Sequence, residues 1–235
     1  VGEALREAAA ALGRAVEMVS GVLQKNGRLF YVGAGTSGRL GVLDASEIPP
    51  TFGAPPEMVQ GIIAGGVTAL YRSVEGAEDE RGSGALALDE RAVTSADIVC
   101  GITASGRTPF VLGALVEAKK RGARTILLTC NPARARAEEF DLEIDLTTGP
   151  ELLTGSTRLK AGTATKIALN IISTGAMVAL GKVRGNLMID LATSNTKLRD
   201  RAARLVAELT KCEYAEAVAR LERSNWNLRA ALREL

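Results

Sequence analysis

Tyr31-Val-Gly-Ala-Gly-Thr-Ser-Gly-Arg39 is the stretch in which a predicted strand gives way to a predicted helix. The apolar run 28–32 ends in this glycine-rich turn, and residues 39–46 can continue as a helix. A strand, a glycine turn and a helix start present unpaired backbone N–H groups beside the positive end of a helix dipole. Thr36 and Ser37 add hydroxyl groups to the same turn. The stretch therefore predicts a phosphate-binding unit.

The turn also satisfies the pattern G-x-G-x-x-G, which is typical of dinucleotide-binding domains. Such domains place an acidic residue about 20 residues further on, at the end of the second strand, where it binds the ribose. Here the second apolar run, 58–63, ends in Ala64-Gly65-Gly66 and offers no acid. We therefore expect a phosphorylated small molecule as the ligand and not a dinucleotide.

Composition excludes several classes of protein. Hydrophobic residues make up 46% of the 235 residues and aromatic residues only 3%, which favours an aliphatic core of helices on a parallel sheet. The net charge of +2 shows no basic excess, so we expect no nucleic-acid partner. No apolar run approaches the roughly 18 residues of a membrane span, so we expect no membrane partner. The chain opens within a helical pattern and without Met, so we expect further residues before it.

Cysteine and histidine usage narrows the chemistry. The three cysteines lack C-x-x-C spacing, which favours a reducing, cytoplasmic compartment. The chain has no histidine, so proton transfer must use Glu, Asp, Lys, Tyr or Cys. Ser-His-Asp catalysis and histidine metal sites are excluded. No clustered set of metal ligands is evident, and we expect neither a metal nor an organic cofactor.

Strand and helix patterns alternate over the first 150 residues. Strands are predicted at 28–32, 58–63, 97–102, 125–129 and 142–146. Helices are predicted at 3–24, 39–46, 66–74, 77–92 and 109–120, with a stiff proline-rich loop at 49–56. This alternation predicts an α/β fold with a doubly wound, mostly parallel sheet and right-handed crossovers.

The pattern becomes purely helical in the last third of the chain. A long helix is predicted at 157–180, followed by helical segments at 196–209, 213–222 and 225–234. We expect one domain at 1–190, which binds the phosphorylated small molecule, and a small C-terminal helical appendage at 191–235.

Three polar turns precede predicted helices, at 33–38, 103–108 and 154–158. Turns that follow parallel strands lie together at the carboxyl edge of a sheet, where ligands bind. Hydroxyls and backbone amides there would suit a sugar phosphate. An ordinary helix cap is the alternative for any single turn. The hydroxyl-bearing residues are Thr36, Ser37, Thr103, Ser105, Thr108, Ser156 and Thr157.

Five segments closely resemble the N-acetylmuramic acid 6-phosphate etherase family, whose members contain a sugar-isomerase (SIS) domain. The resemblance implies a lyase that splits the lactyl ether of its amino-sugar phosphate by elimination and hydration. The products would be N-acetylglucosamine 6-phosphate and D-lactate. The segments are Tyr31–Pro50, Ser73–Glu80, Gly101–Phe110, Gly149–Lys166 and Gly181–Asp190.

The resemblance also implies the site residues. Glu47 in Asp-Ala-Ser-Glu and Glu78 in Glu-Gly-Ala-Glu-Asp match the family's catalytic positions, as acid and base respectively. Two carboxyl groups with separated pKa values can remove a proton and protonate the departing alkoxide. From the residues alone, Glu78 also fits a solvated acid at a helix start. The expected substrate-binding residues are Gly35, Thr36, Ser37, Thr103, Ser105, Thr108, Ser156, Thr157 and Lys160.

Two alternatives use the same fold. The related glucokinase regulatory protein shares the glycine turn and Glu-Gly-x-Glu-Asp but binds sugar phosphate without turnover. An aldose–ketose isomerase usually needs a ring-opening group, often histidine, which this chain lacks. Sites in this superfamily commonly form near the seam between two subunits. Because the helix at 157–180 is apolar enough to be shared, we expect a homodimer. The family normally has a further N-terminal segment and a longer C-terminal region.

Overall fold

The first part of the chain builds one parallel sheet. A computed structural model of the protein describes residues 1–134, 138–191, 193 and 195–232. The strand order is β2-β1-β3-β4-β5, and every neighbouring pair is parallel. This order is typical of doubly wound flavodoxin-like sheets, so the predicted fold class is confirmed. The strands are β1 Leu29–Gly33, β2 Val59–Ile63, β3 Ile98–Ile102, β4 Arg124–Thr129 and β5 Leu142–Asp145.

Helices flank this sheet. The helix predicted at 3–24 is divided at Ala8, and the one predicted at 66–74 is a short 3-10 turn, Val67–Leu70. The charged segment before Arg81 is not helical, so the helix predicted at 77–92 is shorter than expected. The helices are α1 Gly2–Glu7, α2 Ala9–Leu23, α3 Gly35–Phe52, α4 Arg81–Glu90, α5 Pro109–Lys120 and α6 Lys160–Ala179.

The prediction of a proline-rich loop at 49–56 is wrong for its first half, because α3 continues through Pro49 and Pro50 to Phe52. Each proline removes one intrahelical hydrogen bond. Burial of the Ile48 and Phe52 side chains offsets that loss. Gly53 follows the last residue of the helix, has a φ of +58° and donates its N–H to the Pro49 carbonyl at 2.9 Å.

The two faces of the sheet bind different helices, because side chains alternate along a strand. Phe30 and Val32 belong to a buried cluster that includes Phe110 and Val111 of α5. Tyr31 points the other way, toward α3: a Cβ built on Gly41 would lie 2.8 Å from the Tyr31 Cβ. The absence of a side chain at Gly41 lets α3 pack directly on β1.

The chain forms two compact units by its internal contacts. The first contains Val1–Ser46 and Pro56–Ala176, and the second contains Glu47–Pro55 and Met177–Leu235. The domain boundary predicted at residue 190 remains a prediction. Across the described ranges 1–134, 138–191, 193 and 195–232, no helix is long and apolar enough to cross a membrane.

The second unit contains a small hairpin that the sequence patterns did not predict. Its strands β6 and β7 are antiparallel and joined at Gly185, whose φ is +60°. The helices that follow bury a cluster of aliphatic side chains. Positions 233 and 234 of the helix predicted at 225–234 lie outside the described residues. The elements are β6 Val183–Arg184, β7 Leu187–Met188, α7 Thr196–Thr210, α8 Tyr214–Arg223 and α9 Leu228–Ala231.

Gly38→Ala should destabilise the fold, because the new Cβ would lie 2.6 Å from Ile63 Cγ1 and 2.7 Å from the Gly33 carbonyl oxygen. We expect a loss of about 1–3 kcal/mol in the free energy of unfolding, measured by urea titration. Gly13→Ala in α2 is the control: nothing lies within 4 Å of its Cβ. That variant should gain up to about 1 kcal/mol. Equal urea midpoints for the two variants would contradict the prediction.

Candidate functional site

The strand order reverses between β1 and β3, and ligands bind at such a switch point in doubly wound sheets. The chain leaves β1 through Gly33 directly into α3, and it leaves β3 through the turn 103–108 into α5. Two of the three predicted polar turns therefore lie at the position where this fold binds ligands.

The first turn is held by contact between two glycine backbones. A Cβ built on Gly33 would lie 2.5 Å from the Gly38 nitrogen, so the strand end and the helix start nearly touch. Gly35 has a φ of +52°, a value that glycine adopts without steric cost. Thr36 and Ser37 consequently lie in the first turn of α3, where both side chains are half-buried.

The second turn is organised by a buried hydroxyl. Thr103 Oγ1 hydrogen bonds with Thr108 Oγ1 at 2.8 Å and with Ser105 Oγ at 3.3 Å. Ser105 Oγ also accepts the Arg107 N–H at 3.2 Å. Gly106 has a φ of +72°, which lets the chain reverse before Pro109 begins α5. The three predicted hydroxyls of this turn form one connected set.

The third turn, at 154–158, lies beside a carboxylate that the sequence analysis did not predict. Helix α6 begins at Lys160, and the N–H groups of Lys160 and Ala161 both donate to the Glu151 carboxylate at 2.9 Å. These bonds, that from Ala161 first, lower the pKa of Glu151. The first amides of α6 therefore already have an anionic partner, and Ser156 and Thr157 offer hydroxyls on the preceding turn. Sequence reasoning missed Glu151, since the loop 152–159 separates it from the start of α6.

Contacts within the first unit bring all three turns together. A Cβ built on Gly162 of α6 would lie 3.4 Å from the Thr157 carbonyl oxygen and 3.5 Å from Thr36 Cγ2. The Cys130 N–H donates to the Ala104 carbonyl at 3.1 Å. The Cys130 thiol lies 3.9 Å from the Ala161 carbonyl oxygen. The first and second turns thus each approach the start of α6.

The Cys130 thiol is a poor candidate for acid–base work at this edge. Burial raises its pKa to about 11, so the thiol stays protonated near neutral pH. The carboxylates of Glu47 and Glu78 remain the predicted acid and base.

Glu78 lies at the edge of the same group of turns. Its side chain is exposed, and its backbone carbonyl accepts the Phe110 N–H at 3.0 Å. A cavity of about 190 Å³ separates Glu78 from the first turn. Arg39 lines this cavity and donates to the carbonyls of Leu70 and Arg72, both at 3.1 Å, so it holds the cavity wall in place. The cavity is also lined by Gly35, Ser73, Val74 and Glu75.

Glu47 lies on the part of α3 that belongs to the second unit, and its side chain is exposed. One turn earlier, in the first unit, Asp44 is buried and accepts hydrogen bonds from Asn170 Nδ2 at 2.7 Å and Ser173 Oγ at 3.2 Å. Burial raises the pKa of Asp44 despite those bonds. Sequence reasoning also missed this tie between α3 and α6.

Within the described part of the chain, no group of three or more His, Cys, Asp or Glu side chains could hold a metal ion. The roles assigned to the two glutamates, the seven hydroxyls, Gly35 and Lys160 remain predictions.

A parallel sheet in this order, with hydroxyl-rich turns at its switch point, is the architecture of the SIS-domain class, to which the family models assign the chain. The family model of the SIS domain matches residues 82–180, and that of the glucokinase regulatory protein N-terminal SIS domain matches residues 11–119. The phosphoheptose isomerase of Francisella tularensis is similar in structure, with 21% identity and a TM-score of 0.53 over 73% of this chain and 92% of that one. This likeness supports the fold.

Closer relatives identify the family. The N-acetylmuramic acid 6-phosphate etherase of Gloeobacter violaceus is 58% identical over 97% of this chain and 75% of that protein. The enzyme of the same name from Gloeothece citriformis is 59% identical over 94% of this chain and 72% of that protein. The chain belongs to the N-acetylmuramic acid 6-phosphate etherase family, as the sequence motifs predict.

Glu151→Gln should lower the melting temperature at neutral pH, because the charged carboxylate binds the α6 start more strongly than an amide does. The folded-state pKa of Glu151 is lowered from 4.5, so its stabilisation is present above that value. It is lost as the pH falls through the folded-state pKa. Thermal unfolding at several pH values should therefore show the two proteins converging in acid.

Glu17→Gln, at an exposed position in the middle of α2, is the matched control and should melt like the wild type throughout. A difference between wild type and Glu151→Gln that persists unchanged in acid would contradict the assigned role of the Glu151 charge.

Proposed function

We propose that this protein cleaves the lactyl ether of N-acetylmuramic acid 6-phosphate to give N-acetylglucosamine 6-phosphate and D-lactate. The observation that carries the proposal is the 58% identity, over 97% of the chain, to a relative named for this etherase activity. The test is incubation with the muramic acid phosphate and an assay for free D-lactate.

The reaction is an elimination followed by addition of water. Glu78, as base, removes the proton from C2 of the sugar, and the electron pair forms a double bond to the neighbouring carbon. The lactyl oxygen leaves from that carbon and takes a proton from Glu47. Water then adds its hydroxyl to the same carbon, and C2 regains a proton, so the sum is hydrolysis. Because an alkoxide is a poor leaving group, the acid is needed for the first step.

The phosphate would bind where the three turns meet. In the first unit, the contacts of Gly162 with Thr36 and of Cys130 with Ala104 support a common position for their hydroxyls. Lys160 would add a positive charge at the start of α6. The proposed binding residues are Gly35, Thr36, Ser37, Thr103, Ser105, Thr108, Ser156, Thr157 and Lys160.

We further propose that the protein is a cytoplasmic homodimer. Ile171, on the part of α6 that belongs to the first unit, is an apolar side chain that is 40% exposed. A second copy would cover this apolar surface. A monomer at micromolar concentration in sedimentation would contradict the dimer.

A sugar-phosphate-binding regulator is the second candidate, favoured by the match of the glucokinase regulatory protein SIS domain to residues 11–119. Such a protein would bind a fructose phosphate without releasing lactate from the muramic acid phosphate. Glu47, which this chain retains, favours catalysis.

Glu47→Gln should block D-lactate release while C2 of the substrate still exchanges its hydrogen with heavy water. Glu78→Gln should abolish both, because it removes the base. We expect kcat to fall about 10²- to 10⁴-fold in each variant. Lactate is measured enzymatically and exchange by NMR. The opposite pattern would exchange the two roles, and full activity in both variants would remove these residues from the mechanism.

Ser37→Ala and Ser105→Ala should each raise KM by about 10- to 100-fold, since each removes a hydrogen bond to a charged phosphate. Steady-state kinetics with the muramic acid phosphate measures this. Ser95→Ala is the control, because Ser95 precedes β3 at the amino edge of the sheet. An unchanged KM in the first two variants would mean that these serines only cap their helices.

A further inference from the structure

Glu78 is held in place by its backbone. Its side chain is exposed and has no hydrogen bond or ion pair with any side chain among the described residues. Its carbonyl accepts the Phe110 N–H, and the neighbouring Ala77 packs against the buried cluster beneath α5. The position of Glu78 therefore depends on how its segment is joined to α5.

The segment with Glu78 leads into α4, which begins three residues later. Helix α4 contacts α5 at two glycines. A Cβ built on Gly84 of α4 would lie 2.0 Å from the Phe110 carbonyl oxygen. Reciprocally, a Cβ built on Gly113 of α5 would lie 2.1 Å from the Arg81 carbonyl oxygen. Both obstacles are backbone atoms, which cannot rotate away as a side chain can. Only glycine at both positions lets the two helices lie this close together.

The bond between the Phe110 N–H and the Glu78 carbonyl also gives the start of α5 a hydrogen-bond partner. Phe110 is the second residue of α5, so its N–H has no acceptor within the helix. The Glu78 carbonyl supplies that acceptor at 3.0 Å. Phe110 thus donates its N–H to Glu78 and presents its carbonyl to Gly84. The segment with Glu78 and the helix that follows it are fixed to the same residue of α5.

We infer that the Gly84–Gly113 contact is a positioning device for Glu78, an inference that rests on the catalytic role proposed above for this residue. An added methyl group must move α4 away from α5 by about 1 Å to reach even a 3.0 Å contact. Because the Glu78 segment runs directly into α4, this shift would pull Glu78 away from the Phe110 N–H, while the hydroxyls of the turn 103–108 stay with the sheet. A misplacement of 1 Å at a reacting group can cost about 10²-fold in rate.

Gly84→Ala and Gly113→Ala should therefore lower kcat about 100-fold and leave KM within about twofold, because the phosphate contacts are retained. Exchange at C2 should fall in parallel with kcat. Gly82→Ala is the matched control: it lies in the same helix α4, and nothing lies within 4 Å of its Cβ. That variant should keep both constants within about twofold of wild type, for the reason that no neighbour must move.

A purely structural role for these glycines would reduce the amount of folded protein, checked by circular dichroism, and leave kcat per folded molecule unchanged. That result would overturn the inference. So would a crystal structure of Gly84→Ala in which Glu78 keeps its place relative to Thr103 and Thr108. This structural comparison needs no activity, so it decides the positioning claim even if the wild type releases no D-lactate, an outcome that would refute only the proposed function.

Hydrogen exchange on the wild type provides a test if neither alanine variant folds. The Phe110 amide should exchange slowly, although amides in the first turn of a helix usually exchange fast. Exchange at the rate of an exposed amide would show that the bond to Glu78 does not hold the segment, and would overturn the inference.

Discussion

The near-contact of the β1 and α3 backbones at Gly33 and Gly38 is the constraint on which the site depends. It leaves no room for a side chain at either position, and so it places the first turn of α3 at the carboxyl end of β1. The parallel pairing of β1 with β3 places the turn 103–108 at the same edge. Ser37 and Ser105 reach this edge because of how two backbones pack, before any side chain contributes.

Close approaches at glycine recur elsewhere in the first unit. Gly41 lets α3 lie against Tyr31 of β1, and Gly84 and Gly113 let α4 and α5 approach each other. Large side chains fill the remaining space on both faces of the sheet: Phe30 and Phe110 share a cluster on one face, and Tyr31 is buried on the other. Hydrogen bonds between side chains, such as those from Asn170 and Ser173 to Asp44, also fix how α3 and α6 face each other. A chain with few aromatic residues thus achieves precision through close helix approaches.

Local patterns predicted the parts of this molecule that local physics controls. Short continuous apolar runs such as Ile98–Ile102, bounded by turn residues, favour buried strands, and those predictions are confirmed within a residue or two. The continuation of α3 through Pro49 was missed because burial further along the helix outweighs the local cost of proline. The Glu151 pairing was missed because its partners lie beyond a loop. The family was recognisable from long motifs, whereas the roles of Glu47 and Glu78 rest on resemblance and remain predictions.

The two hydrogen bonds from α6 to Glu151 close residues 152–159 into a small ring. Closing a ring of this size costs conformational entropy, and the chain loses that entropy when it folds and not when a ligand binds. A ligand that contacts Ser156 or Thr157 therefore meets a loop that is already ordered, and more of its interaction energy remains as affinity. The same ring holds Leu152 and Leu153 outward, 90% and 61% exposed, so these two apolar side chains face water on a loop with little freedom to withdraw them.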